Sequence, residues 1–229
     1  MRAVDAQIQD LFDGPWALHS QRKHMKKALD ERPSVPQPKV ALVGCGLIGQ
    51  AWAIVFARAG YAVALYDAQN GVAADALDAV VRQLDSLQQY DLVESEHRQD
   101  FIDAISVADD LELALKDAVY VQENGPERID VKAALTAEID RLVSRVVPIG
   151  SSTSGIPASR YGSDVAGRER CLVVHPINPP HLLPAVEVVP APWTDPAIAQ
   201  KVVDLMMQVG QVPILLQREV EGFVVNRLQ

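Results

Sequence analysis

From Lys39 onward, short apolar runs alternate with longer segments in which apolar positions recur every three or four residues. The short runs, 40–43, 62–66, 118–122, 146–150 and 171–174, have the length and the Val, Ile, Leu and Ala content of buried strands. The stretches 47–59, 72–89 and 130–143 carry apolar residues at helical spacing, and a shorter helix is expected over 97–105. Strands separated by helices in this way are βαβ units. The expected fold class is therefore α/β, a Rossmann-type doubly wound and mostly parallel sheet. The pattern continues with a strand over 185–189, a helix over 195–209 and a strand over 212–216. Residues 220–229 read as the opening of one more helix.

Residues 1–38 follow a different rule. They combine mixed charge, a basic patch at Arg22, Lys23, Lys26 and Lys27, and prolines at 33, 36 and 38, which makes them an N-terminal extension ending in an extended Pro-rich linker. The folded domain then runs over 39–220. The whole chain has 229 residues, 48% hydrophobic and 22% charged, as a folded globular protein has, and neither a disordered tail nor a fibrous repeat fits. No apolar run reaches the roughly 18 to 20 residues a membrane helix needs, and no secretory leader pattern opens the chain, so no membrane partner and a cytoplasmic location are expected. The formal charge of −9 disfavours a nucleic-acid partner, which would need clustered Lys and Arg to neutralise phosphates. The two cysteines, Cys45 and Cys171, are too few for a disulfide framework and lack metal-ligand spacing; both read as free buried thiols.

Candidate chemistry begins where the first strand ends. It runs into Gly44-Cys45-Gly46-Leu47-Ile48-Gly49 and then directly into a helix, which is G-x-G-x-x-G in the context that gives it meaning. Gly44 suits the tight turn, Gly46 the close approach of a diphosphate to the backbone, and Gly49 the packing of helix on strand. The helix start offers free N–H groups to the phosphates. The second strand ends in Asp67, 18 positions after Gly49, where a carboxylate can accept from both ribose hydroxyls and repel a 2′-phosphate. No Arg follows at positions 68 and 69. NAD is the expected cofactor, with NADP disfavoured. FAD, which shares the fingerprint, and a purely structural turn in which Asp67 caps the next helix are the other readings.

His175 closes the strand over 171–174, at the strand end where open α/β sheets bind ligands, and Glu187 lies twelve residues on. Prolines at 176, 179, 180 and 184 forbid a continuous helix between them, so a loop must return into the strand over 185–189. Adjacent strand ends can then pair imidazole with carboxylate, which orients the ring and stabilises it once it has taken a proton. That is the base an alcohol oxidation requires; a satisfied structural His at a strand end is the alternative. Ser151 to Ser154, after another strand, can present hydroxyls to the same crevice. A serine hydrolase lacks its G-x-S-x-G elbow here, and a zinc site from His175, His181 and Glu187 lacks ligand spacing, so no metal is expected.

Taken together, Gly44 to Gly49, Asp67, Ser152-Thr-Ser154, His175-Pro-Ile-Asn178-Pro, Glu187 and Gly222-Phe-Val-Val-Asn226-Arg-Leu resemble the 3-hydroxyacyl-CoA dehydrogenase superfamily over about residues 39–229, most closely its lambda-crystallin and L-gulonate 3-dehydrogenase branch. The resemblance implies that His175 is the general base and Glu187 its partner. It further implies that Ser154, Asn178 and Asn226 bind the substrate oxygen or orient the His, and that Glu127 and Lys132 contact the nicotinamide half of NAD. Members of the family continue past this point into a helical domain that dimerises and closes over substrate, so 221–229 is read as its first residues, and a homodimer is expected of the longer parent. The implied reaction is NAD-dependent oxidation of the 3-hydroxyl of a hydroxy acid to a keto acid. Residues 67–120 hold thirteen Asp or Glu against Arg82, Arg98 and Lys116. An acidic excursion there suits a free L-3-hydroxy acid, L-gulonate-like, better than a CoA ester with its phosphates. The acyl-CoA substrate of fatty-acid metabolism and a non-catalytic NAD-binding module are the alternatives.

Overall fold

The structure, a computed structural model, describes residues 37–227. Of the extension and linker expected over 1–38, only the exposed Gln37 and Pro38 are among them, and Leu228 and Gln229 also lie outside. In chain order the elements are β1 (Lys39–Val43), α1 (Leu47–Arg58), β2 (Ala62–Tyr66), α2 (Val72–Gln89), α3 (Arg98–Asp103), β3 (Ile105–Val107), α4 (Leu111–Leu115), β4 (Ala118–Glu123), α5 (Ile129–Leu142), β5 (Ile149–Ser151), α6 (Ala158–Tyr161), β6 (Cys171–Pro176), β7 (Ala185–Pro190), α7 (Pro196–Gln208) and β8 (Val212–Leu215). One eight-stranded sheet takes them in the order β3-β2-β1-β4-β5-β6-β7-β8. All neighbours are parallel except β6 and β7, which form the antiparallel pair. The doubly wound, mostly parallel architecture is the one the alternating pattern predicts.

Period-two alternation along the central strands divides the core. Ala41 and Val43 of β1 and Val121 of β4 join one buried cluster with Leu111, Leu115 and Ile139 of α4 and α5. Their strand neighbours point the other way, where Tyr120 meets Phe56 of α1 at 5.9 Å between ring centroids. Helix α1 is buried almost all round, from Gly49 and Ala51 to Ala57, because three alanines let it settle close to the sheet while Trp52 and Phe56 fill the gaps. Helix α2 instead buries a single stripe, Ala73, Ala76, Val80, Leu84 and Leu87, and turns its acids to water.

Three expectations are corrected. The helix over 97–105 is shorter: it ends at Asp103, and Ile105–Val107 is an edge strand paired with β2, because Val63, Ala64 and Leu65 offer it a free backbone edge. The strand expected over 146–150 begins only at Ile149, since Pro148 has no N–H to give the ladder and Val146 is exposed. Residues 220–227 do not open an α-helix; they form a turn with Phe223 at φ 51° followed by a 3-10 turn over Val225–Arg227. The short helices α4 and α6 are additions to the predicted elements.

Candidate active site

The parallel strands β1, β4, β5 and β6 end along one rim, and a cleft of about 450 Å³ opens there. Ile48, Asn124, Glu127, Ser154, His175 and Asn226 are among its lining residues. Ligands bind at such a rim because strand ends deliver side chains and helix N-termini deliver unpaired N–H groups to one crevice.

The glycine turn forms one end of the cleft. Gly44 adopts φ +96°, and a Cβ there would stand 2.7 Å from the carbonyl carbon of Asn124. A Cβ on Gly49 would run into the carbonyl oxygen of Gly44, so neither position admits a side chain. A Cβ on the exposed Gly46 would meet nothing within 4 Å. That open space lies at the cap of α1, whose first turn carries no acidic residue and whose cap makes no side-chain hydrogen bond. Leu47 is 75% exposed at the tip, and Ile48 faces the cleft. Asp67 tethers the turn: its Oδ2 accepts from the Cys45 N–H at 2.9 Å and its Oδ1 from the Gln69 N–H at 2.9 Å. An open, N–H-rich turn held by a carboxylate at the end of β2 fits a dinucleotide, with the diphosphate on Gly46 to Gly49 and a ribose at Asp67. Cys45 and Cys171 are buried free thiols as expected, and burial pushes each up to about 12.

At the other end of the cleft, His175 and Glu187 are register partners across the antiparallel β6 and β7 pair. Nδ1 of His175 lies 2.8 Å from Oε2 of Glu187. Because a carboxylate only accepts, Nδ1 is the nitrogen that carries the proton in the neutral ring, and Nε2 is then the one with the lone pair. Glu187 is fully buried, and its Oε1 accepts from the N–H groups of Val224 at 2.7 Å and Val225 at 3.2 Å. The buried Phe223 packs beside the imidazole at 5.6 Å between centroids. The turn over 221–227 is thereby fastened to the His and Glu pair, and the motif read in its sequence contacts the site directly. Asn226 Nδ2 donates to the Ser154 carbonyl at 2.6 Å, while the exposed Asn178 reaches the cleft from the loop after β6.

Glu127 organises the serine loop. Its Oε1 accepts from Thr153 Oγ1 at 2.6 Å and from the N–H groups of Ser154 at 3.1 Å and Gly155 at 3.0 Å. Lys132 stands behind it. Its ammonium is 1% exposed, 2.9 Å from the fully buried Glu123 and 3.9 Å from Glu127. Lys132, which the resemblance places at the nicotinamide half of NAD, has its ammonium held by Glu123, Gly125 O and Ser151. His181 does not join His175 and Glu187; among the described residues, ligand atoms near enough to share a metal occur at Glu94, Glu96 and His97 instead. The site also engages Trp52, Gln122, Glu123 and Asn124, which the sequence motifs do not single out. The available signal was the polar run Gln122-Glu123-Asn124 closing an apolar strand at the binding rim.

Turn, carboxylate and rim together define a dinucleotide-binding domain of the Rossmann class. The sequence profile of the 3-hydroxyacyl-CoA dehydrogenase NAD-binding domain matches residues 39–220, and the chain belongs to that family. It is 39% identical over 193 residues to the lambda-crystallin homolog of Mus musculus, covering 83% of this chain and 60% of that protein. It is 37% identical over 199 residues to the L-carnitine dehydrogenase of Streptomyces griseus, covering 86% and 58%. Among solved structures, 3-hydroxybutyryl-CoA dehydrogenase from Escherichia coli superposes with a TM-score of 0.78 at 26% identity, over 85% of this chain and 40% of that one. The chain thus spans about 60% of the length of the curated relatives it matches. Among the described residues, no helix is long and apolar enough to cross a membrane.

Proposed function

We propose that the protein oxidises the 3-hydroxyl of a free L-3-hydroxy acid, L-gulonate-like, to a 3-keto acid with NAD. The observation that carries the reading is the 2.8 Å contact of His175 Nδ1 with Glu187 in the same cleft as the glycine turn. The nicotinamide of bound NAD supplies the hydride acceptor. The chain supplies the other half of the reaction. Nε2 of His175 takes the hydroxyl proton as the C–H electron pair departs, the C–O bond becomes a carbonyl, and Glu187 faces the imidazolium that results. Ser154, Asn178 and Asn226 provide hydroxyl and amide groups for the substrate oxygens, and Glu127 fixes the loop that carries Ser154. Glu127 is also 44% exposed and lines the cleft, which supports a contact with the nicotinamide half of NAD.

The free acid is favoured over a CoA ester by charge. The surface after Asp67 presents the exposed Asp75, Asp85, Glu94, Glu96 and Asp109, a poor bed for nucleotide phosphates. The test is a turnover panel with NAD and L-gulonate, L-carnitine or 3-hydroxybutyryl-CoA. Turnover of L-gulonate or a similar free acid is the expected outcome. Turnover of the CoA ester alone would overturn the substrate assignment, and NADH binding without turnover of any alcohol would favour a binding module.

A further inference from the structure

Resting on the reading of the cleft as an NAD site, we infer that Ser152 is a positioning residue: its hydroxyl does not serve substrate but locks the Asn124 amide, the seat on which the glycine turn and its dinucleotide rest. The buried polar groups around it leave one assignment of hydrogens. The Val174 carbonyl can only accept, so Gln122 Nε2 must face it, at 3.1 Å. Gln122 Oε1 is then the acceptor for the Tyr120 hydroxyl, which burial holds well above its ordinary value and so keeps as a donor. The second Gln122 N–H reaches Ser152 Oγ at 2.6 Å, and the indole N–H of Trp52, which can only donate, reaches the same oxygen at 3.1 Å.

With both lone pairs of Ser152 Oγ engaged, its single proton has one destination, Asn124 Oδ1 at 2.7 Å. Asn124 Nδ2 then donates to the Gln122 carbonyl at 3.1 Å, an acceptor that fixes the amide the same way round. Nothing in this chain of bonds can be reversed without setting donor against donor. Its terminus is the glycine turn. The Asn124 N–H donates at 2.7 Å to Val43 O, the residue before Gly44; Gly44 packs on the Asn124 backbone, and a Cβ on Gly49 would lie 3.6 Å from Asn124 Nδ2. Through Val174, the residue before His175, the same bonds also reach the strand of the base.

The test is NADH affinity, read by nucleotide fluorescence alongside the melting temperature of each variant. Ser152→Ala should raise the Kd for NADH about tenfold, because a freed amide turns beside the turn it supports, and Ser152→Thr, which keeps the hydroxyl, should restore it to within about twofold. Ser152→Cys keeps the volume but offers only a weak donor; it should weaken NADH in the same direction and serves if the alanine variant does not fold. In a double-mutant cycle, Ser152→Ala combined with Asn124→Ala should be no worse than Asn124→Ala alone. A lowered melting temperature with an unchanged Kd would overturn the inference, as would additive effects in the cycle. Failure of the wild-type chain to bind NADH would overturn the cofactor reading itself, and this inference with it.

Discussion

A buried nitrogen-bearing side chain stands at each end of strand β6, Arg170 just before it and His175 near its close, and the two are satisfied differently. At its start Arg170 is completely buried and uses all five of its N–H donors. Nε and one terminal nitrogen meet Asp140 Oδ1 at 3.1 and 2.5 Å, the same terminal nitrogen meets the Asp140 carbonyl at 2.8 Å, and the other meets the Ser144 and Val147 carbonyls at 2.6 and 3.0 Å. At the other end His175 spends Nδ1 on Glu187 and keeps Nε2 unspent in a cleft. A buried cation with every donor matched ties α5 to β6 and does nothing else. A buried imidazole with one nitrogen left toward a cleft is what the proposed oxidation requires. The amino-terminal edge of the sheet is thus built for stability and the carboxyl-terminal rim for chemistry.

The sharpest test of that contrast is to cut each end separately. On the proposed function, His175→Gln should lower turnover by about 10³-fold while leaving NADH affinity within about twofold and the melting temperature unchanged, since that reading makes His175 the general base and nothing more. A stability loss equal to the turnover loss would erase the distinction. Arg170→Ala should do the reverse: chemical denaturation should show about 3 kcal/mol of stability removed, because the buried Asp140 keeps only the Gly167 N–H at 3.2 Å and the largely exposed Arg145 at 3.9 Å, with NADH affinity intact in the molecules that stay folded.

Asp67→Asn acts at the rim without touching the base. It should weaken NADH about tenfold and narrow the preference over NADPH, because one charged acceptor for the turn and ribose is lost while the repulsion of a 2′-phosphate disappears; parallel titrations with both nucleotides read this out. The smallest effect separates the thiols, Cys171 beside Arg170 and Cys45 in the glycine turn. Burial, with Asp67 adding to it at Cys45, holds each up to about 12 from an ordinary 9.0. Each thiol therefore contributes stability that is whole below about pH 9 and is lost as pH rises toward 12. Cys171→Ala should flatten the alkaline fall in melting temperature, and neither thiol should be alkylated at pH 8 while the protein is folded.

Much of the rim is legible in the chain because its signals are local. Gly44, Gly46 and Gly49 sit at a fixed spacing between a strand and a helix; Gly44 and Gly49 have no room for a side chain, and Gly46 borders open space. The prolines between His175 and Glu187 force a return, and the return places the two in register. Helix α2 runs over 72–89 as its apolar stripe dictates. Where the signal is not local, the reading drifts. Ile105 is as apolar at the end of a helix as in a strand, and only the waiting edge of β2 makes it the latter. The buried pairing of Lys132 with Glu123 is likewise announced by no local pattern.

The sequence by itself determines the alternation of strands and helices, the nucleotide turn with its carboxylate, and the return of the chain that lets His175 meet Glu187. Periodicity, glycine spacing and proline are properties of neighbouring residues, and they survive without knowledge of what lies across the fold. Which polar groups are locked together is decided by the tertiary structure alone. Gln122 and Glu123 are adjacent in the chain, but strand pleating sends one toward Trp52 and Ser152 and the other toward Lys132 and Ser151. Hydrogen-bond partners thirty or a hundred residues away, as Ser152 is from Gln122 and Trp52, are chosen by where the sheet and α1 meet, and that meeting is a property of packing.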